Sequence, residues 1–188
     1  MNENSIFRLK IQYKTENQVS GDIEKVKLEI FAQCVNYTDA ESVVYGLIDQ
    51  YDLNKYEPCV YDILRTKFEA GAIYGRSPLC PDEGSSICGL VQHYFAEESE
   101  GLYAVETIVF GDKEAKEKDL KRTFYIPATN VADAMEAAGQ ILNYEGHSLK
   151  DCLIPSAKLD NAAYVYLRRK TSSIAYELAN VRFIRHFE

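Results

Sequence analysis

Apolar and polar residues alternate along the first strand-like segment of the chain, residues 7–13. Since successive side chains of a β-strand point to opposite faces, this pattern predicts a strand with one buried and one solvated face, as in an antiparallel sheet. A second strand is predicted over residues 26–33, after a polar hairpin connection. The apolar positions of the first strand are Phe7, Leu9, Ile11 and Tyr13, and the polar positions between them are Arg8, Lys10 and Gln12.

Two helices are predicted where a strand-like run gives way to apolar residues at three- and four-residue spacing. Asn36 precedes the first helix and Asn130 the second, each as an N-cap acceptor, and Asp39 and Asp133 follow in the first turns near the positive helix end. Each helix thus has one apolar face for a sheet. The apolar residues are Val43, Val44, Leu47, Ile48 and Tyr51 in the first helix, and Ala134, Ala137, Ala138, Ile141 and Leu142 in the second.

The two helix starts belong to an internal repeat. Residues 31–41 (FAQCVNYTDAE) align without a gap to residues 125–135 (YIPATNVADAM), 94 positions later. Strand-like runs precede each helix, and two more follow it, with Lys67 aligned to Lys158 at an offset of 91. A match through a strand–helix junction predicts a tandem duplication of a β-β-α-β-β unit. The further runs are residues 103–110 and 120–128 before the second helix, 60–68 and 152–159 after the two helices, and 72–74 and 163–169 as fourth strands.

These elements predict an α+β fold in which each antiparallel sheet carries one helix and the two copies are related by a pseudo-twofold axis. The predicted divisions are a first unit over 1–74, a linker or excursion over 75–101, a second unit over 102–170, and a packed C-terminal segment over 171–188. The excursion is rich in Pro, Gly, Ser and acids, which is typical of a surface loop. Its GLVQHYF stretch offers the alternative of docking a partner or covering the sheet.

Composition limits the classes of function. The 188 residues suffice for one core or two small ones, and a net charge of -8 excludes the broad positive field of a duplex-DNA or anionic-membrane binder. The N-terminal residues lack the pattern of a signal peptide, and no run is long and apolar enough to span a membrane. Five cysteines, an odd number without a C-x-x-C pair, predict reduced thiols and a cytoplasmic location.

Catalytic motifs are absent from the sequence, which predicts a protein that is not an enzyme and has no cofactor or metal. Two alternatives to a non-catalytic protein have little support in the sequence. One is a metal site from Cys80, Cys88 and His93, whose spacing is irregular, and the other is a nuclease-like carboxylate pair. The carboxylates available for such a pair are Asp62, Glu69, Asp151 and Asp160.

A nucleic-acid surface is predicted from aromatic and basic side chains on the strands, because rings stack on bases and cations hold phosphates. The alternative for the aromatic residues is burial in the cores of the sheets. The candidate binding residues are Lys10, Tyr13, Lys14, Arg65, Lys67, Tyr103, Tyr164, Tyr166, Arg168 and Arg169.

The F-x-x-K-I-x-Y pattern from Phe7 to Tyr13, the YTDAE motif at residues 37–41 and the DILR motif at 62–65 resemble a domain-of-unknown-function family of Bacteroides-type bacteria and their crAss-like phages. The resemblance covers most of residues 5–169 and involves structural positions. It implies a small duplicated α+β protein in a phage or mobile-element setting, with no catalytic residue to transfer. A role as a DNA-replication or recombination accessory is what that setting implies.

Two functions follow as hypotheses. The first is binding of single-stranded DNA by a phage or mobile-element accessory protein, which needs only a local basic surface. The second is a protein-interaction module that binds a host or virion protein, whose signature is an exposed apolar patch or sheet edge. Neither hypothesis involves a membrane.

Overall fold

The computed structural model describes residues 5–17, 19–56, 59–69, 72–74, 86–87, 90–93, 100–112 and 115–168. These residues form two sheets and two helices and are mostly strand, which confirms the α+β class. The helices are α1 (Tyr37–Gln50) and α2 (Val131–Tyr144). The strands are β1 (Ser5–Glu16), β2 (Ile23–Gln33), β3 (Val60–Glu69), β4 (Ser86–Ile87), β5 (Leu90–His93), β6 (Gly101–Val109), β7 (Leu120–Ala128), β8 (Cys152–Leu159) and β9 (Ala162–Arg168).

The first sheet has six strands in the order β3-β1-β2-β9-β5-β4. The predicted apolar side of β1 is confirmed, because Phe7, Leu9 and Ile11 are buried in the core under α1 and Tyr13 packs partly buried against it. Packing of α1 on this face removes one contiguous set of apolar side chains from water, which is the main stabilising term for such a layer. The largest buried members are Phe7, Leu9, Ile11, Ile30, Leu47, Leu90 and Tyr166.

The second sheet has three strands in the order β7-β6-β8, and α2 packs on it. This order matches β2-β1-β3 in the first sheet. In each sheet, the first of the two strands before the helix lies between the second one and the strand that follows the helix. The core of this unit contains Val105, Phe124, Ile126, Ala134, Ala138 and Leu142.

Both predicted N-caps are present. The side chain of Asn36 accepts a hydrogen bond from the backbone N–H of Asp39 at 2.9 Å, and Asn130 accepts one from Asp133 at 3.0 Å. Each bond satisfies an N–H that has no acceptor within the helix. The acids reach back in turn, since Asp39 accepts from the N–H of Val35.

The fourth segment of each half departs from the predicted β-β-α-β-β unit. Strand β9 pairs in parallel with β2, with Val165 opposite Phe31. Residues 72–74 form only a single parallel bridge, which joins Ile73 to Tyr125 in β7. Tyr125 lies 94 positions after Phe31, so the two residues occupy corresponding places in the two halves. The fourth segment of each half therefore pairs with the second strand of the other half.

This exchange makes both compact units discontinuous in sequence. Of the described residues, the first unit contains those within 5–69, 86–93 and 162–168, and the second contains 72–74 and those within 100–161. They therefore differ from the predicted ranges 1–74 and 102–170. Part of the predicted excursion is strand, since β4 and β5 extend the first sheet, while the predicted C-terminal segment 171–188 lies outside the described residues.

The strand register also corrects the alignment after the helices. Leu64 is opposite Arg8 in the first sheet, and Lys158 is opposite Ala104 at the corresponding place in the second. Leu64, rather than Lys67, therefore corresponds to Lys158. The offset of 94 continues through the helix–strand connection, so the predicted offset of 91 after the helices is wrong.

Tyr74 anchors the exchanged residues 72–74 in the second unit. Its backbone N–H donates to the carbonyl of Tyr125 at 2.8 Å, and its ring meets Phe124 edge-on at 4.9 Å between centroids. Its phenol is close enough to Glu145 to experience the charge of that carboxylate, which pairs with Arg122. Burial and the negative charge of Glu145 together raise the pKa of Tyr74 to about 12.

Stability of the second unit should therefore fall in alkali. The pKa of Tyr74 is higher in the folded protein than the usual value of about 10, so the neutral phenol stabilises the fold below that pH. This contribution is lost as the pH rises from about 10 through about 12. Chemical denaturation across this range should show a steeper loss for the wild type than for Tyr74→Phe, which cannot ionise. Equal pH dependence of the two proteins would contradict this role.

Candidate functional site

Most of the predicted stacking residues lie in the cores. Tyr166 is fully buried and Tyr103 is 9% exposed, so neither ring is accessible to a base in this structure. Tyr164 stacks on Tyr51 with 6.3 Å between ring centroids. Tyr13 likewise packs against another ring, that of Tyr56, at 6.0 Å on the α1 side of the sheet.

The predicted basic residues are divided between different surfaces. Lys10 and Lys14 lie on the face opposite α1, away from Tyr13. Arg65 is exposed on the α1 side, because it is opposite the buried Phe7, and Lys67 is exposed near the irregular register between β3 and β1. Of the two remaining predicted residues, Arg168 is described by its backbone alone and Arg169 lies outside the described residues.

Exposed aromatic side chains do occur on α1. Tyr37 is 56% exposed and Tyr45 is 53% exposed. With Glu41 they follow one another at four-residue spacing, which aligns their side chains along one face of the helix. Tyr61 on β3 meets the Tyr45 ring at 5.9 Å between centroids, so this face of the helix borders β3.

Arg65 lies at the end of this surface nearest to the start of α1. The ring of Tyr37 packs edge-on against Phe7 at 5.1 Å, and Phe7 is the register partner of Arg65. The guanidinium of Arg65 donates to the Ser5 hydroxyl at 2.9 Å, which holds the cation beside the start of the helix. We define the α1–β3 surface by Tyr37, Tyr45, Tyr61 and Arg65.

Hydrogen bonds fix the centre of the α1–β3 surface. The Tyr61 hydroxyl donates to the Glu41 carboxylate at 2.9 Å and lies 3.4 Å from the Tyr45 hydroxyl. These two hydrogen bonds raise the pKa of Tyr61 above its usual value, with burial adding to the effect. The Tyr61 phenol therefore stays neutral at physiological pH and engages the one carboxylate between the exposed rings.

The corresponding surface of the second unit is apolar. Val131, 46% exposed, begins α2 where Tyr37 begins α1. Leu159, 62% exposed, is opposite Tyr103 as Arg65 is opposite Phe7. At the place of Tyr45 is Gly139, where an added Cβ would lie 3.6 Å from a methyl carbon of Leu149. We call Val131, Leu149 and Leu159 the α2–β8 surface.

The described residues contain no group of three or more His, Cys, Asp or Glu side chains arranged to hold a metal ion. Cys59 and Cys152 are free thiols, and burial raises the pKa of each, so they are poor nucleophiles at neutral pH. Cys80 and Cys88, two ligands of the weak metal alternative, lie outside the described residues, and His93 is described by its backbone alone.

The residues predicted from sequence include Arg65 of the α1–β3 surface but not Tyr37 or Tyr45. Both lie outside the buried positions of α1, which are spaced three and four residues apart. A tyrosine on the polar side of an amphipathic helix is the signal that was available for finding them.

Comparisons with known proteins found no counterpart of the α1–β3 surface. None of the described helices has the length and apolar character needed to cross a membrane. No family model, curated protein or solved structure matches the chain.

Proposed function

We propose that this chain is a non-catalytic accessory protein that binds single-stranded DNA through the α1–β3 surface. The observation that supports the proposal is the alignment of two exposed rings, Tyr37 and Tyr45, with the cation of Arg65 at one end. Stacking contributes about 1–3 kcal/mol per base without reading sequence, and a cation adds contact with the phosphates. The Glu41 carboxylate between the two rings accepts a hydrogen bond from Tyr61, so it does not pair with Arg65.

Single-stranded DNA fits this surface better than a duplex. The bases of a duplex are stacked on one another and their faces are inaccessible to protein rings, whereas unpaired bases expose them. The chain also carries a net charge of -8, and it therefore lacks the overall attraction on which duplex binding depends.

Tandem duplication followed by divergence is part of the proposal. It is supported by the shared strand order of the two sheets, by two 14-residue helices with Asn caps, and by the reciprocal pairing of Val165 and Ile73. The aromatic and basic residues of the α1–β3 surface have no counterpart in the second unit. DNA binding is thus assigned to the first copy alone, in the phage replication or recombination setting that the family resemblance implies.

Fluorescence anisotropy with a labelled oligothymidylate tests the proposal, with a hairpin duplex as control. Binding in the range of roughly 1–100 µM or tighter, with preference for the single strand, is expected. Arg65→Gln should weaken it about tenfold, equivalent to about 1.4 kcal/mol, whereas Lys158→Gln, an exposed cation of the second unit, should not. Absence of binding at low salt, or equal binding of the duplex, would refute the proposal.

A protein-interaction function is the second candidate, and the α2–β8 surface favours it. Leu149 and Leu159 are each 62% exposed, and Val131 adds a third apolar side chain. Exposed apolar patches are typical of protein-binding sites. The oligothymidylate titration separates the two candidate functions. Binding supports the DNA function, and absence of binding leaves protein interaction through the α2–β8 surface as the candidate function.

A further inference from the structure

The face of the first sheet opposite α1 divides into two halves of different charge balance. In one half, the guanidinium of Arg8 pairs with the Glu29 carboxylate at 2.8 Å. Lys10 is flanked in register by Glu29 on β2 and by Asp62 on β3. Each cation of this half thus has an acid beside it.

The other half, near the β1–β2 turn, has lysines with no acid opposite them in the strand register. Lys14 is directly opposite Lys25, and Lys27 follows on the same side of β2 opposite Gln12. No acid of the described chain forms an ion pair with these three lysines. Glu16 shares their side of β1, and the next residue after Lys27 on that side of β2 is Glu29, which already pairs with Arg8. We define the lysine face by Lys14, Lys25 and Lys27.

Like charges directly opposite one another destabilise an antiparallel pair. The Lys14–Lys25 pair therefore costs folding stability, and an anion bound between the two ammonium groups would relieve the repulsion. Lys25 and Lys27 are two residues apart on one strand, roughly 7 Å, comparable to the separation of neighbouring phosphates in an extended strand. The spacing suits a chain of anions.

We propose that the lysine face, on the side of the sheet opposite α1, binds the phosphate backbone of the same single-stranded DNA after the strand passes around the β3 edge of the sheet. The inference rests on the proposed function and assigns a separate task to each surface: rings on α1 stack on bases, and lysines on the hairpin hold phosphates. The second unit lacks an equivalent lysine face, because Asp119 lies at the place of Lys25, leaving only Lys121 at that of Lys27.

Salt dependence of oligothymidylate binding tests this assignment. Each lost phosphate contact with a single strand reduces the slope of log affinity against log salt by about 0.7, so Lys14→Gln/Lys25→Gln/Lys27→Gln should reduce it by about 2. The control is Lys121→Gln/Lys150→Gln/Lys158→Gln, which removes the same charge from exposed positions of the second unit and should leave the slope unchanged.

The outcomes separate this inference from the proposed function. If the wild type binds and the hairpin variant retains its slope, the lysine face makes no phosphate contact and the inference is wrong, while the function stands. If the wild type binds no oligothymidylate at low salt, both are wrong. Equal loss of slope in the control variant would assign the effect to net charge and would also overturn the inference.

Lys25→Glu supplies an independent readout. It replaces the like-charge pair by an attractive one, so the melting temperature should rise while oligothymidylate affinity falls at least severalfold. A higher melting temperature with unchanged affinity would show that Lys25 does not contact the DNA.

Discussion

Tyr166→Ala is expected to destabilise the first unit by about 3–5 kcal/mol, the usual cost of removing a large buried aromatic side chain. The ring is fully buried in the α1 core, although its strand β9 comes more than 90 residues after the helix. Such a loss is a large part of the roughly 5–15 kcal/mol that stabilises a typical domain. Urea denaturation, together with hydrogen exchange of β1 and β2 amides, measures it.

Tyr166→Phe is the matched control for this variant. The Tyr166 hydroxyl lies 3.4 Å from that of Tyr51, and loss of one such hydrogen bond should cost only about 0.5–1.5 kcal/mol. A Tyr166→Ala protein with wild-type stability and impaired oligonucleotide binding would contradict the structure. It would also reinstate Tyr166 as a stacking residue.

The Tyr37→Ala/Tyr45→Ala variant is expected to lose about 2–6 kcal/mol of DNA-binding free energy, since each stacked ring contributes about 1–3 kcal/mol. The dissociation constant for oligothymidylate should therefore rise at least about 30-fold. Anisotropy titrations at two salt concentrations measure this. The loss should be similar at both, because stacking releases few counterions.

Two controls isolate the effect of the rings. Tyr37→Phe/Tyr45→Phe keeps both aromatic faces and should bind within a few-fold of the wild type. Tyr144→Ala removes a ring of similar exposure, 56%, from α2 and should leave binding unchanged. Because Tyr37 packs against Phe7, circular dichroism melting must show that the double alanine variant is folded at the assay temperature. Wild-type affinity in that folded variant would refute the α1–β3 surface.

The elements that sequence could predict are those specified by local interactions. The Asn36 and Asn130 caps were predictable because the acceptor and its N–H partner lie three residues apart. The limits of β7 and β8 were also predicted correctly, since both strands are bounded by polar or turn residues. Local pattern therefore specified most strands and both helices of the two units.

The exchange of the fourth segments could not be predicted in this way. Both β9 and residues 72–74 are short apolar runs, and the residues of neither run indicate whether it pairs with β2 or with β7. Pairing partners distant in sequence depend on the competition among complete sheets, which is a property of the tertiary structure. The same limit applies to the predicted excursion, whose Leu90–His93 segment gains its strand conformation by pairing with β9.

For the candidate site, residue type was a weaker guide than position. Alternation in β1 already separates Tyr13 from Lys10 and Lys14, so these residues could not share one face. Tyr103 and Tyr166 are aromatic residues whose large area favours burial over exposure. The lysine face was missed because it depends on the hairpin register, which places Lys14 opposite Lys25.

The late position of β9 in the chain has a consequence for synthesis on the ribosome. Chains emerge from the N-terminus, and β1, β2 and α1 are available long before residues 162–168 are translated. During that interval β2 lacks its parallel neighbour, and an unpaired strand edge is a template for pairing with another chain. Two nascent copies on one messenger RNA can thus pair through β9 of the wrong molecule. Slow translation of the second half would favour intertwined chains over chains that pair β2 with their own β9.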